Sequence, residues 1–184
     1  EKNDTIFSHA LIHALGYIGG AEEAEFIIKN CGNNPLSVMA LSKIMKKDPR
    51  LLFKGIYLAD PFYENSEPTA KTTIENLKPS PQTVLSLFSE KDPAYQAGAL
   101  FILRALNAKG KGVFSLFETG LYKTHTAVKL QAIRGIREYK LKDLFPKLLP
   151  FIQSQSPNII RSSALPTILE NLDPEPTVLA RAPL

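Results

Sequence analysis

The sequence predicts an all-α protein, a right-handed α-solenoid of about five helix pairs with one further helix closing the series. Three observations carry this. First, an alanine followed four residues later by a small or apolar residue recurs along the chain, at Ala10/Ala14, Ala40/Ile44, Ala70/Ile74, Ala99/Leu103, Ala132/Ile136 and Ala164/Ile168. The alanines lie 30, 30, 29, 33 and 32 residues apart. A spacing of four puts both members on one helical face, where the small residue lets two helices approach closely. Second, dipeptides that pair a capping residue with proline fall in phase with that beat. Third, the β-branched runs are short and embedded in helical periodicity, so no strand is expected.

Each anchor segment is the core of a first helix, A, and is followed by a second amphipathic segment, B. The B segments are Glu22–Ile28, Leu51–Leu58, Thr83–Phe88, Gly112–Phe117 and Leu144–Ile152. The sixth unit has only an A helix, Asn158–Asn171. Asn34-Pro35, Asp92-Pro93 and Ser156-Pro157 precede A helices; Asp48-Pro49 and Ser80-Pro81 precede B helices. In each, the cap side chain accepts a free backbone N–H, and proline at the first helical position gives up nothing. Gly19-Gly20, Gly32 and Gly110 stand at helix ends. One helix pair cannot bury both of its apolar faces, but stacked pairs can. The repeat domain is therefore expected over residues 1–172, with 173–184 a Pro-rich tail or linker. The last helix keeps Ile159, Ile160, Leu165, Ile168 and Leu169, more apolar than a terminal cap would be, so the chain is expected to belong to a longer protein or a complex.

The 184 residues are 44% apolar and 22% charged, the balance of a globular chain with a sizeable core. No stretch approaches the ~18 uninterrupted apolar residues of a membrane helix, so no membrane insertion is expected. The net charge of +4 is unevenly placed. Residues 104–161 hold eleven Lys/Arg and three Asp/Glu, whereas residues 1–103 hold ten and twelve. A basic block in the C-terminal half points to an acidic partner.

Particular motifs carry a family resemblance. His13-Ala14-Leu15-Gly16-Tyr17-Ile18-Gly19 resembles the Ala-Leu-Gly-x-Ile-Gly end of a HEAT-repeat A helix. Leu144–Ile152, with Pro146 and Pro150, is similar to the family's proline-containing B helix. Ser156-Pro157-Asn158-Ile159-Ile160-Arg161-Ser162-Ser163-Ala164-Leu165 resembles the family's Asp-x-x-Pro-x-Val-Arg-x-x-Ala-Ala start of the next A helix, with Arg161 on the family arginine and Ala164 on the small anchor. The resemblance covers roughly residues 5–172. The family's recurrent aspartate near the start of helix B is mostly absent. What the resemblance implies is a HEAT-like superhelix with an extended curved surface for another macromolecule, and no reaction.

Candidate binding residues come from the basic block. Arg104 and Arg137 each follow their anchor alanine by five residues, so stacking sets them side by side. Arg134, Lys140, Lys142 and Lys147 are near in sequence, and Lys111 lies in the preceding turn. Together they form a predicted positive stripe. It suits an acidic protein surface, or nucleic acid through phosphate neutralisation, or it is a solvated face with local pairs such as Glu75–Arg104. Stacking aromatics, which single-stranded nucleic acid favours, are sparse there. The longest break between units, residues 59–66, offers Phe62 and Tyr63 as aromatic anchors for a partner, unless Phe62 folds back on the core.

Catalytic constellations are missing. His9 and His13 share a helix face at a zinc-binding spacing, but no glutamate stands between them and no third ligand is adjacent. Cys31 ends a B helix without a nearby base and is expected to be a small apolar residue. Gly110-Lys111-Gly112 has neither phosphate-loop spacing and reads as a turn. The sequence is thus expected to be a non-catalytic adaptor or scaffold for another protein, with nucleic acid as the alternative partner and no cofactor. The cytoplasm is the favoured compartment.

Overall fold

A computed structural model describes residues 2–153 and 155–170, with side chains from Ser8 onward. The predicted tail, 173–184, lies outside the described residues, as does Asn171, the final position of the predicted closing helix. The described residues are all-α and contain no strand. The helices are α1 (Lys2–Ile18), α2 (Ala21–Cys31), α3 (Pro35–Lys47), α4 (Pro49–Ala59), α5 (Glu67–Leu77), α6 (Pro81–Ser89), α7 (Pro93–Ala105), α8 (Lys111–Leu121), α9 (Thr126–Glu138) and α10 (Asn158–Leu169). A 3₁₀ segment, Lys142–Ile152, fills the place of the fifth B helix.

Helix starts follow the cap-proline signals. Asn34 Oδ1 accepts from the N–H groups of Leu36 and Ser37 at 3.0 Å each. Asp48, Ser80 and Asp92 cap α4, α6 and α7 in the same way, each with proline next. The fifth signal departs from this. Ser156 donates its hydroxyl to Pro150 O, and α10 begins without a side-chain cap. The 3₁₀ geometry at Lys142–Ile152 has a local reason: Pro146 and Pro150 each lack the N–H that an α-helix requires.

The A helices pack in succession, α1 on α3, α3 on α5, α5 on α7, α7 on α9 and α9 on α10. Five of the six anchor alanines are fully buried along this line: Ala40, Ala70, Ala99, Ala132 and Ala164. The first pair breaks the expected register. Ala10 and Ala14 are exposed, and Gly16 makes the close approach instead, its Cα facing Ala40 so tightly that an added Cβ would lie 2.7 Å from the Ala40 Cα. On the other side α2 packs against α4, and α4 against α7.

Helix α7 is the centre of the molecule. It touches α4, α5, α6, α8 and α9, and every residue from Gln96 to Ala105 is buried. Its sequence, apolar on all sides, suits that position. Gly98 admits the Phe53 ring of α4, whose nearest atom would stand 2.4 Å from an added Cβ. One continuous core runs from Ala24 to Ala164.

Helices α7 and α9 end alike. Asn107 and Lys140 adopt left-handed backbone, φ 48° and 51°. In α9, Lys140 N donates to Arg137 O and Leu141 N to Ile136 O; in α7, Asn107 N donates to Arg104 O and Ala108 N to Leu103 O. This paired bonding is a Schellman motif, which satisfies the last carbonyls of a helix. It sets Arg104 and Arg137 at equivalent places in successive helices.

Candidate functional site

The predicted stripe is divided between two neighbouring clefts. The first, about 690 Å³, is lined by Tyr63, Glu64, Glu67, Arg104, Arg134, Arg137, Glu138, Lys140 and Glu170. The second, about 590 Å³, lies between α8 and the 3₁₀ segment, with Lys111, Lys140, Lys142 and Lys147 around Phe114, Leu141 and Leu144. Lys140 lines both.

In the first cleft the arginines are already engaged within the chain. Arg104 retains only 4% of its side-chain exposure. Its Nη1 donates to Gln131 Oε1 at 2.6 Å, its Nη2 to Glu67 at 2.9 Å, and its Nε to Glu138 at 3.0 Å, with a second bond from Nη2 to Glu138. Arg137, one unit later, forks onto Glu170 in the same bidentate way. The two pairs form a ladder in which each arginine binds a glutamate at the end of the next A helix. Glu67 and Glu138, and not Glu75, are the partners of Arg104. Arg134 donates to Phe62 O at 2.6 Å and lies 3.7 Å from Glu67. Burial, and then the Arg104 charge, hold its guanidinium below the ordinary arginine value. Four cations thus face four carboxylates, and this cleft has no net charge. Arg104 is a buried structural cation, not an exposed member of a stripe.

The aromatics of the long loop also turn inward. Tyr63 is fully buried, in left-handed backbone, with its ring 4.8 Å from Phe101. Burial pushes its phenol well above the ordinary tyrosine range. Phe62 is half-buried against the core, and its carbonyl serves Arg134. Asp60 ties the loop by accepting from the N–H groups of Asn65 and Ser66, each at 2.8 Å. Neither ring stands out as a surface anchor, because folding back removes its apolar area from water.

The second cleft has a different balance. Lys111, Lys140, Lys142 and Lys147 line it beside Glu118 and Asp143 among the described residues. Lys147 donates to Glu118, which raises its pKa above the ordinary lysine value. Lys111 and Lys140 are exposed and have no side-chain partner among the described residues. Phe114 is half-buried, 5.7 Å from the Tyr139 ring, and Leu141 and Leu144 complete an apolar floor. Both flanking elements begin here, and neither Gly110 nor Leu141 supplies a side-chain cap. Their first N–H groups add positive potential to the lysines.

Other polar residues have structural partners. His13 accepts from Lys43 Nζ at 3.0 Å, and His9 is exposed. No group of three or more His, Cys, Asp or Glu among the described residues is placed to hold a metal. Cys31 is half-buried, and desolvation raises its thiol pKa, away from the thiolate a nucleophile needs. His125, absent from the sequence-based candidates, caps α9. Its Nδ1 accepts from Ala127 N, so Nε2 carries the proton and donates to Tyr57 Oη at 2.9 Å. No helix among the described residues is long and apolar enough to cross a membrane. No protein-family model, curated protein or solved structure matches the chain.

Proposed function

We propose that the chain is a HEAT-like α-solenoid and acts as a non-catalytic scaffold that binds another protein. The observation that supports this reading most is the succession of A helices, each packed on the next from α1 to α10, with an arginine–glutamate ladder across α7, α9 and the end of α10. Such an arrangement grows in one direction and presents side chains at regular intervals, a framework suited to holding an extended partner. The lysine-rich cleft gives that surface its sign.

Two measurements test the reading. An arc of stacked pairs scatters X-rays with a radius of gyration above the ~16 Å of a compact chain of this length; a smaller value overturns the solenoid. Cross-linked capture from the native source should retain a defined protein after nuclease treatment. Retention that vanishes with nuclease would instead assign the surface to nucleic acid. Reversing Arg104, Arg134 and Arg137 together is the wrong probe, because Arg104 and Arg134 are engaged within the fold; reversing the exposed Lys111 and Lys140 is the right one.

A further inference from the structure

We propose that the groove between α1 and α2 takes a second copy of this chain: the outer face of α10 in one copy seats there in the next, and the copies join head to tail. The inference goes beyond the scaffold reading. It needs only the succession of A helices, which one copy continues into another.

Exposed apolar area is collected at the two ends of that succession. Of the ten large apolar side chains that stand exposed among the described residues, four belong to α1 and α2 and three to the 3₁₀ segment and α10. The position after the anchor alanine shows the contrast in one register. Leu41, Leu100 and Ile133 hold it in α3, α7 and α9 and are fully buried, whereas Leu11 in α1 is 42% exposed and Leu165 in α10 is 45% exposed. Only α5 has a charged residue there, Lys71. Four residues further on, α7 and α9 carry Arg104 and Arg137, the cations of the ladder, and α10 carries the exposed Leu169. The ladder thus stops at an apolar residue, and a contact beyond α10 is made with leucine in place of arginine.

The two faces match in form and in sign. At the first end, Leu11, Leu15 and Phe26 line a groove of about 270 Å³ together with Glu22 and Glu23. Gly16 turns toward α3, so Leu11 and Ile18 lie on the opposite side of α1. At the other end, Arg161, Leu165 and Leu169 follow at intervals of four on one face of α10, a ridge of two apolar side chains and a cation. Glu22 has no cation partner among the described residues. Arg161 donates to the neutral amide of Asn158 and to no carboxylate among the described residues. Helices associate by packing ridges into grooves, and burial of the leucine and phenylalanine area supplies the attraction. A Glu22–Arg161 pair across the contact fixes its orientation. Because the two faces differ, each added copy leaves one of each free, and assembly continues as a row or closes as a ring.

The test is sedimentation velocity on the full chain across a wide concentration range, where the mean mass should rise past that of a dimer. Leu11→Glu blocks the groove and Leu165→Glu blocks the ridge. Each variant alone should be a monomer with native helix content by circular dichroism. Mixed, the two should form a one-to-one dimer, since each keeps the face that the other has lost. Neither a misfolded chain nor a contact between like faces can give that recovery. Glu22→Arg should weaken association about tenfold, and adding Arg161→Glu to the same chain should restore it. A native chain that stays monomeric at every concentration, or variants that stay monomeric when mixed, would overturn the proposal and leave the scaffold reading standing. Association that survives both single substitutions would also overturn it, by placing the contact elsewhere. So would a monomer that captures a different protein through Leu165.

Discussion

Arg104 and Arg137 end the same turn of successive helices, and each is forked onto a glutamate of the next unit. Their environments differ: Arg104 is 4% exposed and Arg137 is 47% exposed. Replacing Arg104 by alanine leaves Glu67 and Glu138 facing each other over a desolvated Gln131, and should cost about 3 kcal/mol in urea denaturation. The same change at Arg137 should stay within about 0.5 kcal/mol, because water and salt already screen that pair. Equal losses at the two sites would contradict the difference in burial. Asp92 provides a pH test. Burial opposes its ionisation, but the hydrogen bond from Lys54 at 2.7 Å and the Ala94 N–H outweigh it and hold the carboxyl below its ordinary value. A depressed folded pKa stabilises the fold above the unfolded value of about 3.9 and loses that contribution as pH falls through the folded value. The stability gap between the native chain and Lys54→Met should therefore be open at neutral pH and close in acid. A gap that persisted in strong acid would assign it to packing of the lysine stem.

At the scale of elements, close helix contacts depend on glycine. A Cβ on Gly55 would stand 2.4 Å from the Ala24 Cβ and 2.6 Å from the Ala21 carbonyl oxygen in α2. Backbone atoms cannot swing away, so Gly55→Ala should destabilise by about 1–3 kcal/mol despite its better helix propensity. Gly112, in the first turn of α8, has nothing within 4 Å, and Gly112→Ala should stabilise by about 0.5–1 kcal/mol in the same denaturation series. The ten described helices were legible because their signals are local: an apolar period within a dozen residues and, for α3, α4, α6 and α7, a capping side chain followed by proline. What lay beyond the sequence depends on distant neighbours. Ala10 and Ala14 repeat the beat, yet they are exposed, since no described helix covers that face of α1. The role of Gly98 in α7 is set by Phe53 of α4, three helices earlier. The burial of Arg104 required Glu67 and Glu138 from two other helices, and no spacing rule names both. The lysine-rich cleft was legible as a cluster of charge, though its separation from the arginines was not.

Across the whole molecule, stability should be graded from the centre outward. Helix α7 is packed by five others, whereas α1 exposes His9, Ala10, His13, Ala14, Tyr17 and Ile18. Native-state hydrogen exchange should be slowest in α7 and α9 and fastest in α1. Rapid exchange in α7 would contradict its place in the core.

The ladder has a consequence for how such a chain tolerates change in length. Each rung joins the end of one A helix to the end of the next, and one residue added inside α9 turns everything beyond it by about 100° around the helix axis. Arg137 would then point away from Glu170, and Glu138 away from Arg104. The same insertion in the turn after Asn107 leaves both rungs in line. A change in length should therefore be tolerated in that turn and not inside α9.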